Sequence, residues 1–193
     1  MTSLLSYRAG PCDQPLLHQT IGEYLQEIAD RFPERPAVVV RHQQIRWNYR
    51  EYLTQIDRLA LGLLALGIQP GDRVGIWSPN NIEWCLVQFA TARIGAIMVC
   101  INPAYRSYEL EFAINNVGCR ALICASAFKG SDYLAMLNEL APELASSPPG
   151  QLISARLPSL AMVIRLGEEA IAGMLNFGAV LALGDEQDPA RLA

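Results

Sequence analysis

Lysine and histidine are scarce in this sequence of 193 residues. Lys129 is the only lysine among 15 cationic side chains, and the only imidazoles are those of His18 and His42. Catalytic triads and the common zinc sites need histidine, so the sequence offers almost no material for either. A single lysine also leaves few lysine-dependent catalytic roles open.

An excess of positive charge is absent as well. Lys+Arg 15 against Asp+Glu 19 gives a formal net charge of −4. Nucleic-acid binders use surplus cations to replace the counterions along phosphates. The charge balance therefore argues against a nucleic-acid partner.

The sequence has no apolar run long enough for a membrane span. The longest, residues 59–68, is far shorter than the roughly 20 residues that a spanning helix requires. The amino terminus lacks the basic start and the sustained apolar stretch of a secretory signal. The sequence alone therefore predicts a cytoplasmic protein.

Cysteine spacing gives no sign of a metal or redox site. The five cysteines are Cys12, Cys85, Cys100, Cys119 and Cys124, and no two are spaced as Cys-x-x-Cys. Four lie in apolar surroundings, where free cysteine behaves as a small buried hydrophobic residue. We expect inert core thiols and no metal site.

What the sequence does contain is a hydrophobic fraction of 51% with 18% charged residues, which fits one domain with a substantial core. Residues 20–23 form a capping box that begins a helix ending at Pro33, and a second helix spans about 49–66. Between them, residues 37–40 and 45–47 predict a short hairpin.

Strands and helices then alternate. Short continuous apolar runs predict strands at 73–77, 96–101, 120–124 and 160–166, and helices are expected at 80–94, 107–117 and 131–140. Continuous rather than alternating apolar runs are typical of a parallel sheet buried on both faces. The predicted fold is a doubly wound α/β layer structure, with a mostly parallel sheet, helices on both faces and an amino-terminal hairpin.

These patterns also suggest limits within the chain. Residues 1–19 are expected to be an extended arm, 20–184 the α/β unit, and 185–193 a polar connector. The cluster at 146–150 is expected to be a surface loop inside the α/β unit.

Two common phosphate-binding motifs are missing. No glycine pair precedes Lys129 at the spacing of a Walker loop. Residues 71–75 have the wrong spacing for a dinucleotide fingerprint and precede a strand.

Paired carboxylates could act as a catalytic acid and base. The two candidate pairs, Glu109 with Glu111 and Glu168 with Glu169, are interpreted as solvated surface charge. No catalytic residue is therefore predicted.

Polar segments follow three of the predicted strands, where ligands bind in open α/β sheets. Residues 77–81 and 102–106 are explained by helix capping at Asn80 and Ser107, and direct ligand contact is the alternative. The third segment, 125–131, places Lys129 just before a predicted helix. The residues by themselves favour an ordinary solvated lysine, and contact with a phosphate-bearing ligand, which that position suits, is the alternative.

Two segments of the sequence carry a resemblance to a known family. They are residues 71–84 (Gly-Asp-Arg-Val-Gly-Ile-Trp-Ser-Pro-Asn-Asn-Ile-Glu-Trp) and residues 92–106 together with Glu109-Leu110. Both resemble the amino-terminal part of acyl-CoA synthetases. These fatty acid–CoA ligases belong to the adenylate-forming, or AMP-binding, superfamily. The resemblance covers essentially the whole chain and extends to residues 6–17 and 128–133.

The resemblance implies activation of a fatty acid by ATP and Mg²⁺ to an acyl-adenylate, followed by transfer of the acyl group to CoA. The family grips the triphosphate with a Ser/Thr/Gly-rich loop ending in Pro-Lys-Gly, and no segment of residues 1–193 matches it. We therefore expect an amino-terminal fragment of such an enzyme, either a truncated gene product or an expressed piece. By itself this fragment is expected to form no acyl-adenylate and to bind no cofactor tightly. By the same resemblance, Lys129 is a candidate contact for a phosphate of CoA.

Two other functions stay open. The chain could be a non-catalytic interaction module derived from such an enzyme, with self-association through exposed apolar surface. It could instead belong to a peptide-synthetase adenylation domain. Those domains usually carry Val-Pro-x-Asp after the second strand, whereas this chain has Ile101-Asn102-Pro103-Ala104.

Overall fold

A computed structural model describes residues 10, 11, 13 and 15–192. Most of the predicted arm, residues 1–9, 12 and 14, therefore lies outside the described part, and residues 15–19 form no helix or strand. Regular structure begins with α1, whose capping box is present as predicted. The Thr20 hydroxyl accepts a hydrogen bond from the Glu23 N–H, and the Glu23 carboxylate accepts one from the Thr20 N–H.

The described residues form nine strands and six α-helices. The strands are β1 (Pro36–Val40), β2 (Ile45–Asn48), β3 (Arg73–Trp77), β4 (Ile97–Ile101), β5 (Cys119–Cys124), β6 (Ala127–Phe128), β7 (Ser131–Asp132), β8 (Met162–Arg165) and β9 (Leu175–Asn176). The helices are α1 (Ile21–Arg31), α2 (Tyr49–Ala65), α3 (Ile82–Arg93), α4 (Ser107–Val117), α5 (Tyr133–Leu140) and α6 (Phe177–Asp185). Short 3₁₀ turns occupy Arg41–Gln43, Pro142–Ser146 and Pro189–Leu192.

Five strands form one parallel sheet in the order β4-β3-β5-β8-β9. The chain moves from β3 to one side, at β4, and then crosses to the other side, at β5. Two separate antiparallel pairs, β1–β2 and β6–β7, flank this sheet. The predicted doubly wound α/β fold with an amino-terminal hairpin is confirmed.

Each face of the sheet carries its own core. On the first face, Val74, Ile76 and Ile123 of the sheet pack against α1, α2, α3 and α6. On the second face, Trp77 and Leu122 pack against α4 and α5. Side chains that alternate along buried strands supply both cores, which explains the continuous apolar runs in the sequence.

On the first face α2 and α6 touch through their main chains. A Cβ on Gly62 would lie 2.0 Å from the Val180 carbonyl oxygen, and one on Gly184 would lie 1.9 Å from that of Arg58. Only glycine permits this approach. The Arg58 guanidinium spans the same contact with two 2.6 Å hydrogen bonds to the Asp185 carboxylate.

Several predicted elements need correction. The segment predicted as the start of the third helix in the repeat is the β6–β7 hairpin, so α5 begins at Tyr133 and not at 131. Residues 175–185, which received no predicted element, form β9 and α6. The expected connector at 185–193 contains the turn Pro189–Leu192, where Arg191 donates a hydrogen bond to the Leu64 carbonyl in α2.

Three predictions about single residues were wrong. Asn81, not Asn80, caps α3, because its Oδ1 accepts the Trp84 N–H. Ser107 is the first residue of α4 rather than its cap, and its hydroxyl donates to Glu139. Cys100 is exposed, because it lies on the edge strand β4 and not in the core.

Candidate functional site

The reversal of strand order between β3 and β5 marks where a doubly wound sheet holds its ligand. Helices that leave the sheet in opposite directions there open a crevice beyond the carboxyl ends of the strands. In this chain the crevice measures about 640 Å³. Its lining comes from the end of β4, the loops after β3 and β4, the start of α3 and the β6–β7 hairpin: Ser78, Pro79, Asn80, Trp84, Cys100, Ile101, Asn102, Pro103 and Phe128.

Most polar atoms of the two loops bond within the loops themselves. The Ser78 hydroxyl accepts a hydrogen bond from the Asn81 side chain, and the Trp84 indole donates to the Ser78 carbonyl at 2.8 Å. Asn102 Oδ1 accepts the Ala104 N–H. These hydrogen bonds hold both segments in their loop conformations, although neither Asn80 nor Ser107 is the helix cap that the sequence predicted.

Lys129 sits at the tip of the β6–β7 hairpin, one residue beyond the crevice lining. It is exposed, and its ammonium lies 5.2 Å from the centroid of the Phe128 ring. Lys129 and Gly130 both have left-handed backbones, with φ of 45° and 79°. The tight two-residue turn therefore holds the only lysine at the mouth of the crevice.

The helix after this hairpin is not an anion site. Asp132 caps α5, and its carboxylate accepts the Ala135 N–H at 2.9 Å. An acidic cap brings negative charge to the helix end and occupies one of its amides. Lys129 lies just before α5 as predicted, but the candidate phosphate contact rests on its ammonium and not on the helix.

A buried arginine joins two neighbouring loops at the same edge of the sheet. The Arg165 side chain, at the end of β8, is 7% exposed. Its Nε donates to the Ser126 hydroxyl at 3.1 Å, and its remaining nitrogens donate to the carbonyl and carboxylate of Glu169. Arg165 thus fixes the loop after β5 against the loop after β8.

Tyr133, the first residue of α5, contacts both β3 and the loop after β4. Its ring stacks on Trp77, with centroids 3.5 Å apart and planes 7° from parallel, and its hydroxyl donates to the Pro103 carbonyl. Burial raises the pKa of Tyr133 to about 12, so the hydroxyl stays protonated and can donate at neutral pH.

The buried thiol beside the crevice is not a nucleophile at neutral pH. Burial raises the pKa of Cys124 to about 12, although the nearby Arg165 opposes the shift. Within the described part of the chain, no group of three or more His, Cys, Asp or Glu could hold a metal ion. The described crevice offers apolar surface, hydrogen-bonding groups and the exposed ammonium of Lys129 beside Phe128.

Sequence reasoning found Lys129 and the two loops but missed Tyr133 and Arg165. Tyr133 contacts a carbonyl 30 residues away, and Arg165 a hydroxyl 39 residues away. One signal for Arg165 was available, because it ends a strand whose other residues are all apolar. Charge in a continuous apolar run marks a side chain that needs buried partners.

Among the residues that the structure describes, no helix has the length and apolar character needed to cross a bilayer.

Comparison with known proteins identifies the family. The family model described as AMP-binding enzyme matches residues 25–170, which include β3 to β8 and the crevice. The chain is 42% identical over 188 residues to the medium-chain acyl-CoA ligase ACSF2, mitochondrial, of Mus musculus. The match covers 97% of this chain and 31% of that relative.

Solved structures agree on the fold. The N-terminal domain of FACL13 from Mycobacterium tuberculosis aligns with a TM-score of 0.61 at 27% identity, over 76% of this chain and 34% of that one. A long-chain-fatty-acid-CoA ligase (FadD1) from Archaeoglobus fulgidus aligns with a TM-score of 0.70 over 95% of this chain and 34% of that one. At 22% identity it supports the fold alone. This chain therefore belongs to the AMP-binding enzyme family and corresponds to an amino-terminal portion of its acyl-CoA ligases.

Proposed function

We propose that this chain provides the amino-terminal α/β unit, residues 20–184, of an ATP-dependent fatty acid–CoA ligase. The observation that carries the proposal is the 42% identity to an acyl-CoA ligase across 97% of the chain. In the proposed reaction a fatty acid carboxylate displaces pyrophosphate from ATP and forms an acyl-adenylate. The CoA thiol then displaces AMP and forms the thioester.

The contribution of the described residues is to bind CoA. Lys129 lies at the mouth of a crevice at the strand-order reversal, and its ammonium is exposed, as contact with a phosphate of CoA requires. An exposed lysine supplies a strongly hydrated point charge that suits a mobile phosphate. The left-handed turn at Lys129 and Gly130 keeps that charge at the tip of the hairpin.

ATP and Mg²⁺ have no such fit in these residues. The sequence contains no Ser/Thr/Gly-rich loop ending in Pro-Lys-Gly. The chain spans 31% of the length of its mouse relative, so adenylate formation is proposed for a whole ligase and not for residues 1–193 alone.

A fusion tests the proposed ligase activity. Residues 1–193 replace the matched segment of the mouse relative, and fatty acid-dependent ATP–pyrophosphate exchange and thioester formation are measured. We expect both activities in the fusion and neither in the 193-residue chain alone. Exchange by the isolated chain, or a folded fusion without either activity, would contradict the proposal.

The Lys129→Asn variant of the same fusion tests the CoA contact. Asparagine tolerates the left-handed backbone, so the variant removes the charge without adding strain. We expect the KM for CoA to rise roughly fivefold, as for the loss of one exposed charge pair, with kcat unchanged. Lys129→Arg is the charge-retaining control, and 3′-dephospho-CoA distinguishes the 3′-phosphate from the diphosphate. An unchanged KM for CoA would remove Lys129 from the site.

One observation favours a second candidate, a non-catalytic interaction module. The edge strand β4 and helix α4 expose three large apolar side chains, with Ile97 51%, Tyr108 81% and Phe112 64% exposed. Exposed apolar patches of this kind promote association. Concentration-dependent light scattering of the 193-residue chain would support self-association through this surface.

The cytoplasmic location of this chain stays a prediction, since the mouse relative is named as mitochondrial.

A further inference from the structure

Tyr133 contacts every loop that borders the crevice. Its backbone N–H donates to the Ser126 carbonyl at 3.0 Å, in the loop after β5. Its hydroxyl donates to the Pro103 carbonyl at 2.5 Å, in the loop after β4. Its ring stacks on Trp77, the last residue of β3. One residue therefore joins three segments, two through its side chain and one through its backbone.

The loop after β4 depends on this contact. Within it, the N–H groups of Ala104 and Tyr105 bond back to the side chain and carbonyl of Asn102. Among the hydrogen bonds of the described residues, only the one from Tyr133 fastens residues 102–105 to another element. Tyr133 is fully buried whereas Pro103 is half-buried, so this bond ties a partly exposed loop to the core.

The same residue fixes the hairpin that carries Lys129. Residues 127–128 pair with 131–132, and Tyr133 follows directly as the first residue of α5. Its N–H bond to Ser126 closes the base of this hairpin. The two walls of the crevice, one with Asn102 and Pro103 and one with Phe128, are thus both fastened to Tyr133, the first by its hydroxyl and the second by its backbone.

We infer that Tyr133 is a positioning residue that sets the separation between the Asn102–Pro103 loop and the Lys129 hairpin. The effect on CoA affinity rests on the function proposed above, whereas the effect on the loop does not. Tyr133 touches no reacting group; it acts through the loops that it holds. Its hydroxyl, rather than its ring, carries this role toward the loop after β4.

The Tyr133→Phe variant isolates the hydroxyl, because phenylalanine keeps the ring stacked on Trp77. Tyr52→Phe is the matched control. Tyr52 is also buried, and its hydroxyl donates to the Cys85 carbonyl at 2.9 Å on the other face of the sheet. Both variants lose one hydroxyl-to-carbonyl bond, so they are expected to lose similar thermal stability.

Amide hydrogen exchange of the 193-residue chain tests the positioning. In Tyr133→Phe the Tyr105 N–H is expected to exchange about tenfold faster, because the loop opens locally once the bond to Pro103 is lost. Amides of β3 should keep their rates, and Tyr52→Phe should leave Tyr105 unchanged. Equal rates at Tyr105 in wild type and Tyr133→Phe, or acceleration spread evenly over the sheet, would overturn the inference.

Titration with CoA, followed by NMR at millimolar concentrations, tests the link to binding. We expect Tyr133→Phe to weaken CoA binding several-fold and Tyr52→Phe to leave it unchanged. Faster exchange at Tyr105 without a change in CoA affinity would refute the link. If wild type shows no CoA-dependent shifts at the crevice, the proposed CoA contact fails, and the exchange result still decides whether Tyr133 positions the loop.

Discussion

The contact between α2 and α6 and the crevice at the carboxyl edge of the sheet are built in opposite ways. At the helix contact, main chain meets main chain, and added Cβ atoms on Gly62 and Gly184 would lie 2.0 and 1.9 Å from carbonyl oxygens. At the crevice, side chains span open space, and a Cβ on Gly130 would meet nothing within 4 Å. The helix contact therefore needs glycine for lack of space, whereas Gly130 at the crevice has space around it and needs glycine for its left-handed backbone, with φ of 79°.

The largest effect is expected from closing the space between the helices. Gly62→Ala should destabilise the chain by about 3 kcal/mol, because the new methyl group forces α2 away from α6. Urea denaturation measures the change in the free energy of unfolding.

Gly178→Ala is the control within the same helix pair. Gly178 is in α6, and a Cβ there would have no neighbour within 4 Å. Alanine should stabilise the helix by about 0.5–1 kcal/mol through its higher helix propensity. Similar losses in both variants would show that the close approach at Gly62 is not what makes glycine necessary.

Elements with long apolar patterns could be predicted from the sequence, whereas very short strands and the glycine-containing helix α6 could not. Long elements buried by the sheet, such as β3 and α2, have apolar patterns that match their final environment. The strands β6, β7 and β9 have two residues each, too few for any periodicity. Helix α6 contains Gly178 and Gly184, which lower local helix propensity, and its stability comes from contact with α2, which no local pattern reports.

Only part of the candidate site could be predicted from the sequence. Lys129 could be found because a lone lysine beyond a strand is visible in the sequence. The hairpin that presents it, and the Asp132 cap that excludes a helix anion site, required the structure. Tyr133 was not separable from its apolar neighbours in α5, since only its distance from Pro103 in space reveals the role of the hydroxyl.

An effect that depends on pH is expected at the edge of the helix contact. The hydrogen bonds from Arg58 hold the pKa of Asp185 below its ordinary value. A carboxyl whose folded pKa is depressed stabilises the fold at neutral pH, and this contribution is lost as the pH falls through the folded pKa. Asp185→Asn should therefore be less stable than wild type near neutral pH, and the difference should shrink in acid.

Urea denaturation at a series of pH values checks this sign. Asp188→Asn serves as the control, because no ion pair to Asp188 is present among the described residues. A difference between wild type and Asp185→Asn that stays constant with pH would show that the Arg58 contact does not act through the ionised carboxylate.

The smallest expected effect lies at the crevice and has the opposite sign. Lysine disfavours the left-handed backbone that it adopts at φ 45°, whereas Asn-Gly is a preferred pair for this kind of hairpin turn. Lys129→Asn should therefore stabilise the chain by about 0.5 kcal/mol in urea denaturation, although it is expected to weaken CoA binding. A loss of stability would mean that the Lys129 side chain supports the hairpin. A gain would mean that lysine at this turn lowers stability while it supplies the only ammonium side chain of the sequence, as expected for a residue placed there to bind a ligand.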